Sequence, residues 1–415
     1  MNPETFLEDG RLPVAIIGAG AAGLMAAFFA AHGRSPVVLL EGAGRPGQKI
    51  LISGGGRCNI LPSQASPGDF VSDGSPHTLR KILGAWLLPK VRRFFEEELG
   101  LPLRLEAETG KLFPAANRAS AALEALLTAV RERGVDLRPD CRVVRLERDG
   151  PGWLVRLATG EALAAERVVL ATGGLSVPAT GSDGAGLRIA EGLGHTLVPP
   201  YPALVPLTGE NRAHRALAGV SLTVTVTARE PGSGRLTSRR GGFLFTHRGY
   251  SGPAVLDISH LAALASATGG PRPPIWVQWT ALDAAAWDAR LCSGRGPALA
   301  SLREELPERL AAQLLAELGL EAADLSQLRR EDRQRLVETL TRYPLPWSGH
   351  EGYRVAEVTG GGVRLSEVDP VTLESRVAAG LYLCGELLDA FGPIGGYNFL
   401  WAWVTGRTAG LACNR

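Results

Sequence analysis

The chemistry in this sequence begins with three glycines and a glutamate. The run VAIIGAGAAG sets Gly18, Gly20 and Gly23 between a short apolar strand, Val14 to Ile17, and an Ala-rich helical stretch that reaches His32. In that context each glycine has its own reason: Gly18 for a tight turn, Gly20 for close approach of the backbone to a pyrophosphate, Gly23 for close packing of helix on strand. Ala22 lies in the same first turn, whose unpaired N–H groups and partial positive charge suit phosphate. Glu41 ends a second apolar strand, Val37 to Leu40, 23 residues after Gly18, where a carboxylate accepts ribose hydroxyls. The same carboxylate repels a 2′-phosphate, so NADP is the least favoured direct ligand. A GxGxxG alone is only a glycine-rich turn; strand, helix and acid together make it a dinucleotide site.

Positioning these groups requires a parallel α/β unit, which the alternation of strand and helix predicts. Helical spacing recurs over residues 80–100 and 119–134, and residues 167–171 form a buried strand ending in ATGG. Between about residues 197 and 281 the pattern turns alternating or β-rich, as at 221–228, 242–246 and 274–280. A helical stretch rich in Leu, Glu and Arg follows, over 297–341, closed by YPLPWSG. Residues 380–384 then return to a buried strand, and a glycine-rich loop opens a last helix near Gly396. The expected fold is therefore α/β: a discontinuous Rossmann-like domain from residues 1–195 and 350–415, with an insertion at 196–349. That insertion reads as a β-barrel or antiparallel sheet (196–290) followed by a helical cap (291–349).

Composition sets outer limits. A chain of 415 residues exceeds one ordinary core, so two or three units are expected. With 45% hydrophobic and 21% charged residues it reads as globular, and a net charge of +2 gives no global pull toward nucleic acid or membrane. The five cysteines, Cys58, Cys141, Cys292, Cys384 and Cys413, contain no CxxC pair, so neither a disulfide framework nor a metal site is indicated. The opening MNPETFLEDGRLP has no secretion-signal pattern and no apolar run reaches membrane-spanning length, so a cytoplasmic location is expected.

After Glu41 the chain runs GAGRPGQKILISGGGRCNI, a second glycine-rich stretch that a simple nicotinamide dehydrogenase does not need. It resembles the RPGxK and SGGGRCN signature of a bacterial family of two-domain FAD proteins, the HI0933-like or YhiN-like flavoproteins. ATGGLSVPATGSDGAG at 171–186, FTHRGYSGPAVLDIS at 245–259 and LYLCGELLDAFGPIGGYNFLWAWVTGRTAG at 381–410 match the same family, so the resemblance covers nearly the whole chain. It implies non-covalent FAD, held by Gly47, Gly54, Gly55, Gly56, Arg57 and Cys58 in the second stretch and by Ala171, Thr172 and Gly173 in ATGG. In the last motif, Gly385 and Glu386 stand where flavoproteins place a Gly-Asp pair near the ribityl chain. Gly395, Gly396, Tyr397 and Asn398 open a helix whose positive end favours an anionic reduced ring. Tyr397, Trp401 and Trp403 read better as core aromatics than as flavin contacts. Two departures, Ile60-Leu61-Pro62 after Cys-Asn and Phe399-Leu400 before Trp-Ala, mark a divergent subgroup.

A flavin reductase needs a proton donor for the carbanion left when hydride adds to a double bond. Cys58 is one candidate, with Arg57 lowering its pKa or clamping an anionic substrate; a small packed residue is the bland reading. His247, assisted by Tyr250 and Ser251, is the other, against a hydrogen-bonded structural histidine. The other four cysteines read as structural. No second GxGxxG is read after a strand, so NAD(P)H would dock transiently at the flavin face. The family resemblance offers two substrate classes, uridine in large-subunit ribosomal RNA and ring double bonds of steroid-like acids. Arg235, Arg239, Arg240 and Arg248 could contact phosphate or be a solvated charged face. The alternatives are a non-enzymatic flavin-binding or redox-sensing protein and a flavin oxidase or monooxygenase.

Overall fold

A computed structural model describes residues 12–33, 36–230 and 232–414; the opening segment read above for a leader lies outside them. The chain divides into two compact units, one from residues up to Pro200 together with Val358 onward, the other Tyr201–Glu357.

The first unit is built on a seven-stranded sheet. Strand β1 (Leu12–Ile17) pairs in parallel with β2 (Val37–Leu40) on one side and with strand Ala162–Leu170 on the other. Strand Leu381–Leu383, from the end of the chain, adds in parallel to Ala162–Leu170. The short strand Asp136–Arg138 extends the other edge beside β2, and an antiparallel meander, Val143–Asp149 and Gly152–Leu157, leads into Ala162–Leu170. The central strands β1 and β2 are apolar without alternation because both faces are covered, as β2 shows with four buried residues in a row.

Helix α1 (Ala21–Ala30) and the last helix, Tyr397–Ala412, are buried nearly all round. They pack backbone to backbone: β-carbons on Gly406 and Gly410 would stand 2.3 Å from the Ala22 and Ala26 carbonyl oxygens. Glycines four residues apart thus provide the close approach that larger side chains would block. Residues 80–100, expected as one helix, form Pro76–Gly84 and then Leu88–Arg93, which widens into a single π turn at Phe94–Glu98.

The second unit carries another seven-stranded sheet, with neighbours antiparallel, whose longest pair is Ser221–Arg229 against Leu236–Phe245. Its region expected to be β-rich contains a 16-residue helix, Pro253–Thr268, and a second, Ala284–Ser293. Buried residues lie around most of the first helix, so it lacks the one-sided apolar stripe that marks a helix in sequence. Its ends are conventional, with Pro253 at the first turn and Gly269 at φ +67° closing it. The expected helical stretch 297–341 is three helices, Ala298–Arg303, Glu308–Leu318 and Arg330–Thr341.

Candidate functional site

The fingerprint turn separates its three glycines by what surrounds them. Gly18 has φ +97°, and a β-carbon there would lie 2.7 Å from the Ala171 carbonyl oxygen. On Gly23 it would lie 1.8 Å from the Gly18 carbonyl oxygen, whereas on Gly20 it would meet no atom within 4 Å. Gly20 therefore borders open space at the start of α1, and no side chain caps that helix. Its first N–H groups are left for a ligand. The side chain of Ala22 packs under Gly385, so only its backbone serves the turn.

Glu41 follows β2 and binds the two loops beside it. Its Oε2 accepts from Ala19 N–H and its Oε1 from Ala43 N–H, both at 2.8 Å. Burial pushes its pKa up, opposed by those backbone donors. Each oxygen keeps one more acceptor position, enough for ribose hydroxyls.

A second group forms just past the carboxyl ends of strands Ala162–Leu170 and Leu381–Leu383, the edge at which open α/β sheets bind ligands. Glu386 Oε1 accepts from Ser176 Oγ at 2.5 Å, Thr359 N–H at 2.9 Å and Thr359 Oγ1 at 2.8 Å. Lys49 Nζ donates to Glu386 Oε2 at 2.5 Å and also to Ser176 Oγ. Thr359 Oγ1 in turn accepts from the N–H groups of Leu175 and Ser176. The sequence pointed to Glu386 but not to Lys49, Ser176 or Thr359. Lys49 stood inside RPGxK, and Thr359 precedes a glycine triplet, the only local signs of either.

The SGGGRCN segment forms the end of α2 (Gln48–Gly56). Ser53 is extended, and Gly54, Gly55 and Gly56 have φ of +56°, +67° and +83°. β-Carbons on Gly55 and Gly56 would meet nothing within 4 Å, so this loop also faces open space. Gly47, at φ +69°, caps α2 and packs on Leu123. Asn59 ties the segment to the last helix, donating to the Leu61 and Leu112 carbonyls and accepting from Gly396 N–H at 3.2 Å. Gly396, at φ +93°, sits directly on Leu61, and Gly395 lies against the Lys111 side chain. Asn398 closes the preceding loop by accepting from Gly392 N–H and donating to its carbonyl. Tyr397 packs edge-on to Phe70, while Trp401 and Trp403 are core residues whose indole N–H groups bind the Gly385 and Ile60 carbonyls.

Cys58 is fully buried, and burial pushes its thiol up to about 12 against a hydrogen bond from Ser53. The expectation that Arg57 lowers this pKa is corrected by the geometry. Arg57 pairs with Glu106 at 3.0 Å and lies over the Phe113 ring, 4.2 Å from its centroid. Cys58 also has φ +58°, a left-handed conformation uncommon outside glycine.

The FTHRGYSGP motif belongs to the second unit. His247 is exposed in the turn between strands Leu236–Phe245 and Gly249–Ser251. Tyr250 is fully buried, its hydroxyl 2.7 Å from His214 Nδ1, and burial drives its pKa upward. The expected pairing of His247 with Tyr250 is thus not formed. The motif's glycines have packing roles: β-carbons on Gly249 and Gly252 would lie 2.3 Å and 2.5 Å from the Leu207 and Gly242 carbonyl oxygens. Of the four arginines considered for phosphate, Arg235 pairs with Glu230 and Arg248 with Glu351.

These residues fit FAD. The open cradle at Gly20 has room for a pyrophosphate, Glu41 could accept from a ribose, and the Thr172 hydroxyl, set against Gly186, is buried without a partner among the described residues. Gly42, Gly44 and Gly47 repeat the GxGxxG spacing, a feature missed above; Gly42 and Gly44 are exposed, whereas Gly47 is buried. Gly47 N–H donates to the Ala19 carbonyl at 2.9 Å, and a β-carbon on Gly44 would lie 3.3 Å from Asp140. Among the described residues no group of three acidic, His or Cys side chains could hold a metal, and no helix is long and apolar enough to cross a membrane.

Residues 12–412 match the family described as the HI0933-like protein Rossmann domain. The ribosomal RNA dihydrouridine synthase of Escherichia coli K12 is 35% identical over 401 residues, 95% of this chain and 96% of the relative. The 3-dehydro-bile acid delta(4,6)-reductase of Clostridium scindens is 35% identical over 415 residues, 96% of this chain and 98% of the relative. In fold the chain is similar to 3-ketosteroid delta1-dehydrogenase from Sterolibacterium denitrificans, at TM-score 0.51 and 14% identity, over 97% of this chain and 99% of that one. Sequence motifs, cofactor cradle and near full-length matches agree, and the chain belongs to the HI0933-like family of FAD-dependent oxidoreductases.

Proposed function

We propose that this protein is an NAD(P)H-driven reductase that uses FAD to add hydrogen across a ring carbon–carbon double bond, with uridine in ribosomal RNA as the first substrate to test. One observation carries the reading: segments from both ends of the chain meet at the carboxyl edge of one sheet, with phosphate donors at Gly20 and a paired cation at Lys49. Bound FAD would supply the two-electron chemistry between NAD(P)H and substrate. The protein's share is to hold the dinucleotide through α1 and Glu41 and to present fixed charge from Lys49 and Glu386. NAD(P)H docks transiently at the flavin face, since the buried Gly47 of the second GxGxxG gives its N–H to the Ala19 carbonyl and not to a ligand.

The substrate class rests on the relatives' names. A dihydrouridine synthase and a delta(4,6)-reductase share the saturation of an unsaturated ring, and they are equally similar to this chain. The test starts with anaerobic NADH or NADPH added to the purified yellow protein. Bleaching of the flavin absorbance, followed by its return on adding unmodified ribosomal RNA with a two-mass-unit gain at uridine, is the expected result. Return only with an unsaturated steroid-like acid moves the substrate to that class. Rapid peroxide formation on reoxidation in air, with neither substrate turned over, would make the protein an oxidase and sink the reading.

A further inference from the structure

The Lys49–Glu386 group is asymmetric in a way that bears on the charge of whatever lies beside it. Glu386 Oε1 faces inward and takes three donors, from Ser176 and Thr359, which are 0% and 1% exposed. Its negative charge is therefore spread into the buried side of the group. Lys49 stands on the other oxygen, and its ammonium has three N–H donors, of which two are used among the described residues. Its side chain is 27% exposed, against 19% for Glu386, so the positive end of the pair is the more open one. Both lie beyond the strand ends where the cofactor edge of the sheet is.

We propose that Lys49 is the cation that biases bound FAD toward its reduced form, with Glu386 as the residue that positions it. The inference rests on FAD occupying this edge. Taking up two electrons and one proton leaves the flavin with one negative charge more than before, so a fixed cation in a partly desolvated site favours that state. Ser176 and Thr359 hold Glu386, Glu386 holds Lys49, and the remaining ammonium N–H stays available to the ligand.

The midpoint potential of bound FAD tests this without substrate or NAD(P)H, by dye equilibration of the wild type, Lys49→Met, Lys49→Arg and Glu386→Gln. Lys49→Met should lower the reduced-to-oxidised ratio at fixed potential about tenfold, or about 30 mV for a two-electron couple. Lys49→Arg, which keeps the charge, should stay near the wild type, and Glu386→Gln, whose one carbonyl oxygen cannot serve both Lys49 and the Ser176 and Thr359 donors, should fall between the wild type and Lys49→Met. A purely structural network would disturb the Met and Arg variants alike. Met and wild-type proteins with the same potential would overturn the proposal, as would loss of FAD from all three variants alike. Either result leaves the reductase reading standing, whereas a wild type that binds FAD but accepts no electrons from NAD(P)H defeats that reading and leaves Lys49 untouched.

Discussion

Gly20 and Gly23 stand three residues apart in one turn and face opposite constraints: a β-carbon on Gly20 meets nothing within 4 Å, while one on Gly23 would strike the Gly18 carbonyl at 1.8 Å. The backbone of Gly20, at φ −80°, also suits any residue. Gly20→Ala should leave the FAD-free protein within about 0.5 kcal/mol of wild-type stability but lose FAD on gel filtration. Gly23→Ala should destabilise the FAD-free protein by about 1–3 kcal/mol, read from its urea midpoint. A Gly20→Ala protein that stays yellow would take the pyrophosphate away from that position.

Cys58 should behave as a packed residue. Its thiol is enclosed and held near 12, whereas Cys292 is exposed. Because the thiolate is the reactive form, iodoacetamide at roughly pH 8 should label Cys292 and spare Cys58 in the native protein. Peptide mass mapping reads this directly. Fast labelling of Cys58 would show that the site opens and would restore it as a proton donor.

Glu317 offers a pH signature in the second unit. Burial raises its pKa, but hydrogen bonds from His214, Gln313 and Tyr343 outweigh that and hold it below the usual 4.5. A carboxylate depressed in the folded state stabilises the protein above its unfolded pKa, and that contribution disappears as pH falls through the folded value. Glu317→Gln should therefore cost about 1.5–3 kcal/mol at neutral pH. The gap from wild type should narrow steadily below pH 4.5. Urea unfolding of both proteins across that range checks it, and a gap independent of pH would assign the loss to packing.

The fingerprint was legible because most of its constraints are local: Gly23 meets the Gly18 carbonyl and Glu41 the Ala19 and Ala43 N–H groups within one strand-turn-helix-strand unit, while the contact of Gly18 with Ala171 reaches outside it. Glu386 could be placed at a strand end for the same reason. Its partner Lys49 is 337 residues away, and nothing in the spacing of either says which donor meets which acceptor. The helix Pro253–Thr268 escaped notice because burial around most of its surface erases the period that would announce it. FTHRGYSGP drew attention through its histidine, yet its glycines answer to neighbouring carbonyl groups, and its tyrosine to His214.

Strand Leu381–Leu383 lies against Ala162–Leu170, and the helix Tyr397–Ala412 packs on α1, so the sheet's core is completed by segments made long after α1. Residues 201–357, which form a compact unit of their own, emerge after β1, α1 and β2 and before those closing segments. During synthesis this unit can fold while β1, α1 and β2 still wait for their closing neighbours. Loading of the cofactor is thereby postponed until residues 381–412 have been made, which makes the yellow colour of the protein a report that the two separated parts of its first unit have found each other.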